Sequence, residues 1–212
     1  MSTPDDREST WPPDRFELPE VPSDYLMGEL ILRKVFQRLG PSTIPAQPLH
    51  FGFVRLVDKA TVVYALAREG FQEYLASKPR RNSQFFVAIG HLETCVGTMA
   101  RCLRYLEALR RDKDAPQISR QLGILKNGGN RLTTMRDGVE HTHEHIVNGS
   151  LKPTDSVILK PSAEAITLKA TEIRYAELAA WLHELRQVAI DLNRFDAKEP
   201  PATRAGSSPG GT

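Results

Sequence analysis

Arg136, Asp137, Glu140, His141, His143, Glu144 and His145 crowd into one stretch of the chain, 136–145. Three of the six histidines of the chain fall there. An imidazole titrates near neutrality and can take or give a proton. A guanidinium binds a phosphate through two parallel N–H groups. Together they suit RNA cleavage without a metal. His141 would take the 2′-hydroxyl proton as general base, Arg136 would hold the scissile phosphate, and Asp137 would orient one of them. Glu140, His143 and His145 are secondary candidates.

The same run contains His141-Thr142-His143-Glu144-His145, an inverted zincin arrangement. Two histidines four apart on a helix share a face and can hold one zinc. A zinc-dependent hydrolase using His141, Glu144 and His145 is therefore a further alternative. It needs another ligand, such as Glu164, Glu172 or Glu177. Motifs of other chemistry are absent: no P-loop, no Gly-x-Gly-x-x-Gly, no Cys-x-x-Cys and no Gly-x-Ser-x-Gly. The leading reading expects no metal and no cofactor.

The spacing of apolar residues predicts what positions this stretch. Leu132, Met135, Val139, Thr142 and Ile146 recur at threes and fours, so a single amphipathic helix is expected from Asn130 to about Asn148. On it Arg136 and His141 would point about 140° apart, which favours two copies meeting across a dimer. Upstream, Phe85, Ile89, Leu92, Val96, Met99, Leu103 and Leu106 repeat as four-three-four-three, the seam of a long bundle helix over about 84–111. Helices are also expected over about 23–39, capped by Ser23 or Asp24, over 53–76, over a short span near 118–125, and over 175–195. The runs 156–159 and 165–168, flanking Lys160-Pro161-Ser162, predict a β-hairpin before the last helix.

The fold class expected is mainly all-α: an up-and-down bundle of about five helices with one small hairpin. Residues 1–22 are polar and proline-rich and read as a disordered tail, as do 197–212. The bundle would occupy 23–149, with the hairpin and last helix, 150–196, packed on it. The net charge of +2 names no partner. No apolar run is long enough to span a membrane, and 1–22 lacks the apolar core of a secretory signal. Cys95 and Cys102, seven apart on one helix, lie about 10 Å apart, too far for a disulfide. A reduced, cytoplasmic protein is expected.

The run Met135-Arg136-Asp137-Gly138-Val139-Glu140-His141 resembles the signature of the HEPN superfamily. That signature is an arginine, then a polar residue, then a histidine after four to six intervening residues, late in an α-helical bundle. His143 also satisfies the spacing. The resemblance covers about 23–149 and implies a homodimer in which the two motif helices meet. In catalytic members it implies a metal-independent endoribonuclease, carried over to Arg136 and His141 with Asp137 in support. It also implies a role as a toxin or in phage defence, with RNA as substrate and an antitoxin or other protein as partner. Non-catalytic members imply the alternative, a dimerisation or interaction module.

Overall fold

The computed structural model describes residues 12–36, 46–112, 118, 122–149 and 158–194. Its elements are α1 (Leu26–Phe36), α2 (Ala46–Ala76), α3 (Asn82–Arg111), a π-helical turn (Ile124–Gly128), α4 (Gly129–Glu140), α5 (Thr142–Val147), β1 (Lys160–Pro161), β2 (Ala165–Leu168), β3 (Thr171–Arg174) and α6 (Tyr175–Arg194). The mainly α fold with a small antiparallel sheet before the last helix is as the sequence predicts. No helix among the described residues is long and apolar enough to cross a membrane.

The four-three seam does what its spacing requires. Phe85, Ile89, Leu92, Val96, Met99, Leu103 and Leu106 are all buried along α3. They face α2, whose Phe53, Val57, Ala60, Tyr64, Ala67 and Phe71 are buried in return. Gly52 lies under the Tyr105 ring and Gly70 under Ala88, so the two long helices run antiparallel. Cys95 and Cys102 are buried and free, and burial raises both thiols far above their ordinary range. Such thiols are structural rather than nucleophilic.

Among the segments expected before α4, three need correction. Helix α2 starts at Ala46 rather than near Phe53, with Pro48 inside its first turn. A proline there removes an N–H that would have no helical partner anyway. The short helix expected near 118–125 is instead the π-helical turn at Ile124–Gly128, with 119–121 outside the described residues. The part of the N-terminal tail from 12 to 22 is packed. Leu18 and Val21 are buried, and Phe16 stacks on Phe71 with ring centres 4.2 Å apart. Tyr64 Oη donates to the Pro19 carbonyl at 3.0 Å, and Arg68 Nε to that of Leu18 at 3.2 Å. Trp11 and 197–212 lie outside the described residues.

Helix starts are capped from across the fold. The first free N–H groups of α1, on Leu26 and Met27, donate to the Asp58 carboxylate of α2 at 3.0 and 2.9 Å. Asp24, expected as the local cap, instead accepts from Arg186 of α6 at 2.7 Å. Gly123 and Ile124 donate to Glu184 of α6, both at 2.9 Å, at the head of the π-helical turn. Thus neighbouring positions of α6 brace the start of α1 and the head of the π-helical turn. His50 Nε2 and Asn193 Oδ1, 2.9 Å apart, join α6 to α2.

The β segment is a three-stranded antiparallel meander in the order β1-β2-β3. The hairpin expected between 156–159 and 165–168 is displaced: Lys160 pairs with Thr167 and Pro161 with Ile166. Residues 156 and 157 lie outside the described residues. The turn falls at Ser162, whose Oγ accepts from Ala165 N at 3.0 Å. A third strand, in which Thr171 pairs with Leu168, follows a tight turn at Lys169-Ala170. Lys169 there has φ +53°. For a side chain with a Cβ this left-handed conformation costs about 1 kcal/mol relative to glycine.

Leu159, just before β1, donates its N–H to Glu93 of α3 at 3.3 Å. Burial pushes the Glu93 carboxyl above its ordinary value, and the Leu159 bond offsets this in part. The folded state therefore holds this proton more tightly than the unfolded chain. Stability falls as pH rises through the raised value, and above it the buried charge is a full cost. Glu93→Gln keeps an acceptor for Leu159 without the charge. It should raise the melting temperature at pH 8 and leave it unchanged at pH 4, measured by thermal denaturation. An equal change at both pH values would remove the charge as the cause.

Candidate active site at the end of α4

Helix α4 lies antiparallel along α3: Gly129 sits against Leu103, and Arg136 against Gly97 one turn or more back. Leu132 and Met135 are fully buried between them. The opposite side of α4 meets the sheet at Gly138, where a Cβ would fall 2.6 Å from Leu168 Cδ2. Glycine here is unfavourable for a helix by up to about 1 kcal/mol. The Leu168 side chain of β2 packs directly on it, so a Cβ here would have to push that side chain aside.

The single helix expected over 130–148 is broken. Helix α4 ends at Glu140, His141 takes φ −100° and ψ 10°, and α5 begins at Thr142. Thr142 Oγ1 donates to the Gly138 carbonyl at 2.5 Å, the acceptor a continuous helix would keep for the Thr142 N–H. Such back-bonding by threonine bends helices. The apolar stripe stops with it: Val139 and Thr142 are half-buried, and Ile146 is exposed. The helix also starts at Gly129, directly after the π-helical turn, rather than with Asn130 as its cap.

The structure brings four of the sequence candidates together. The Arg136 side chain is only 10 % exposed. Its guanidinium bonds Asp137, with Nε at 2.9 Å and Nη2 also in contact, and reaches Glu140 at 3.4 Å. Arg101 of α3 meets the other oxygen of Glu140 at 3.6 Å. Asp137, Glu140 and His141 each place one ligand-type atom within 4.8 Å of the others. His141 Nδ1 lies 3.1 Å from Glu144 Oε1, on a ring about half exposed. Asp137 thus serves Arg136 rather than His141, and Glu144 takes the orienting place beside the histidine. The backbone of His143 and His145 lies on α5. Their side chains are outside the described residues.

Asp137 and His141 open onto a cleft of about 520 Å³ between α4 and the β2–β3 turn. Glu144, Lys169, Thr134 and Thr171 line it too. Sequence reasoning missed Lys169, because only the third strand brings it to the site.

Among the described residues, those grouped so that they could hold a divalent cation are Asp137, Glu140 and His141. Their oxygen and nitrogen donors suit zinc or manganese in kind. A cation would compete with Arg136, which already bonds both carboxylates. Of the outside ligands considered for a zinc site, Glu177 is engaged elsewhere. Arg131 grips it with two bonds of 3.0 and 2.7 Å, which lowers its carboxyl below the ordinary value.

Comparison with protein-family models, with curated proteins and with solved structures finds no match.

Proposed function

We propose that this chain is a HEPN-like endoribonuclease that works without a metal, with His141 as general base and a homodimer as the working form. The observation that carries the reading is the Glu144–His141 pair at the mouth of the cleft. A carboxylate accepting from Nδ1–H fixes the ring tautomer and leaves the Nε2 lone pair free to take a proton. His141 Nε2 would remove the 2′-hydroxyl proton. The 2′-oxygen then bonds to phosphorus, the bond to the 5′-oxygen breaks, and that oxygen takes a proton from the imidazolium. The products are a 2′,3′-cyclic phosphate and a 5′-hydroxyl. Arg136, held by Asp137 and Glu140, supplies positive charge behind the cleft.

A second reading is a non-catalytic HEPN-like interaction module. It is favoured by the commitment of Arg136 to carboxylates of its own helix and by the exposure of Ile146 and Val147 on α5. Those apolar side chains beside the motif would then tie two copies together.

One experiment separates the two. Mixed single-stranded RNA is incubated with excess EDTA and either the wild type or His141→Ala, and sedimentation gives the oligomeric state. EDTA-resistant cleavage that falls about 10²–10⁴-fold in the variant is expected. A folded, dimeric wild type that cuts nothing under these conditions would move the assignment to the interaction module.

A further inference from the structure

We infer that Lys169, in the turn between β2 and β3, is the residue that holds the scissile phosphate opposite His141. This rests on the ribonuclease reading and reassigns the phosphate-binding role within it. The sequence pattern gives that role to Arg136. The geometry weighs against it, because the Arg136 side chain is only 10 % exposed and its Nε and Nη2 are engaged by Asp137 and Glu140. A phosphate gripped in the Nε–Nη2 fork would have to displace Asp137.

The charges around the cleft then balance in pairs. Arg136 offsets Asp137, while Glu140 lies between Arg136 and Arg101. Glu144 sits on His141 and offsets the imidazolium once that ring has taken a proton. Lys169 lines the same cleft and pairs with no carboxylate among the described residues. Its ammonium is a compact cation on a flexible stem, suited to a non-bridging phosphate oxygen. The hydroxyls of Thr134 and Thr171, on either wall, are further donors for the same anion.

A second observation points the same way. Lys169 occupies a left-handed backbone position at φ +53°, where glycine would sit without strain. Strain of this kind concentrates at functional sites. Here it presents a cation from the two-residue turn between paired Leu168 and Thr171. The turn is held over the end of α4 by the close fit of Leu168 on Gly138.

Lys169→Gly removes the cation and relieves the strain, so its effect is separable from unfolding. Lys169→Arg keeps the charge. The full chain is titrated with a short, fully 2′-O-methylated RNA, which cannot be cleaved by this route, and binding is followed by fluorescence anisotropy at several salt concentrations. The expected result is about tenfold weaker binding in Lys169→Gly, the size of one lost charge-assisted contact. The slope of log K against log salt should fall by about 0.7, one phosphate on a single strand. Lys169→Arg should restore both. Cleavage of unmodified RNA in EDTA is measured in parallel. If the wild type cuts and Lys169→Gly binds and cuts as well as it does, the inference on Lys169 falls and the nuclease reading stands. If binding depends on Lys169 but the wild type cuts nothing, the anion site stands and the nuclease reading falls. A wild type that neither binds the probe nor cuts overturns both.

Discussion

Phe85→Ala should destabilise the fold by about 3–5 kcal/mol, the usual cost of emptying a fully buried phenylalanine site. In a chain of this size that corresponds to a fall in melting temperature of roughly 6–20 °C. Phe85 sits in the first turns of α3 and is 1 % exposed. Its ring is 5.1 Å from Tyr74, 5.9 Å from Phe71 and 6.1 Å from Phe16, centre to centre. It therefore fills the space where α2, α3 and the N-terminal segment meet. Those rings come from two separate stretches of chain, α2 and the N-terminal segment, so none can close the gap without moving its own element. The neighbouring Phe86, half exposed, is the control. Its ring also lies 5.6 Å from Phe85, but most of its surface stays in water, so Phe86→Ala should cost about 1 kcal/mol or less. Urea unfolding of the two variants side by side measures the difference. Similar losses would mean that the aromatic cluster does not anchor this end of the bundle.

The same contrast explains how much of the fold could be read from the chain alone. The seam of α3 was legible because seven apolar residues repeat at a helical period, and only burial of one face uses such a period. The packing of 12–22 was not, because Phe16, Leu18 and Val21 have no period of their own. Their order comes from partners on α2 that lie far away in sequence. The caps from Asp58 and Glu184 were hidden for the same reason: each looks like a polar position on its own helix. At the site, Arg136, Asp137, Glu140 and His141 were legible as candidates from their residue types on one helix, but that helix would point Arg136 and His141 about 140° apart. The break at His141 was not, because the apolar period runs on through Thr142 to Ile146 and no proline or glycine stands at 141 to mark it. Gly138 could be seen as a cost to the helix, but its reason, Leu168, lies on a strand thirty positions away. Lys169 needed β3, a four-residue strand too short to signal itself by alternation.

Arg136→Ala should lower stability by about 2 kcal/mol. Removing one partner from a buried ion pair costs about 3–5 kcal/mol, and the carboxylates here are nearly half exposed, so water recovers part of that loss. The figure decides what the arginine is for. A residue kept only to grip a phosphate would cost nothing in the free protein when removed. Arg136 instead fills the space against Gly97 and neutralises Asp137 and Glu140, which sit side by side next to His141. Without it those two charges repel each other and the end of α4 loses its contact with α3. Arg136→Lys should recover less than half of the loss, since an ammonium cannot bond both carboxylates with the arginine's planar fork. Combining Arg136→Ala with Asp137→Asn should cost less than the sum of the single changes, by about 0.5–3 kcal/mol, because the second removes a charge the first has left alone. Urea unfolding of the four proteins of this cycle measures that coupling. Strict additivity with an unchanged Arg136→Ala midpoint would return the arginine to the phosphate, and Lys169 would lose its reason to act.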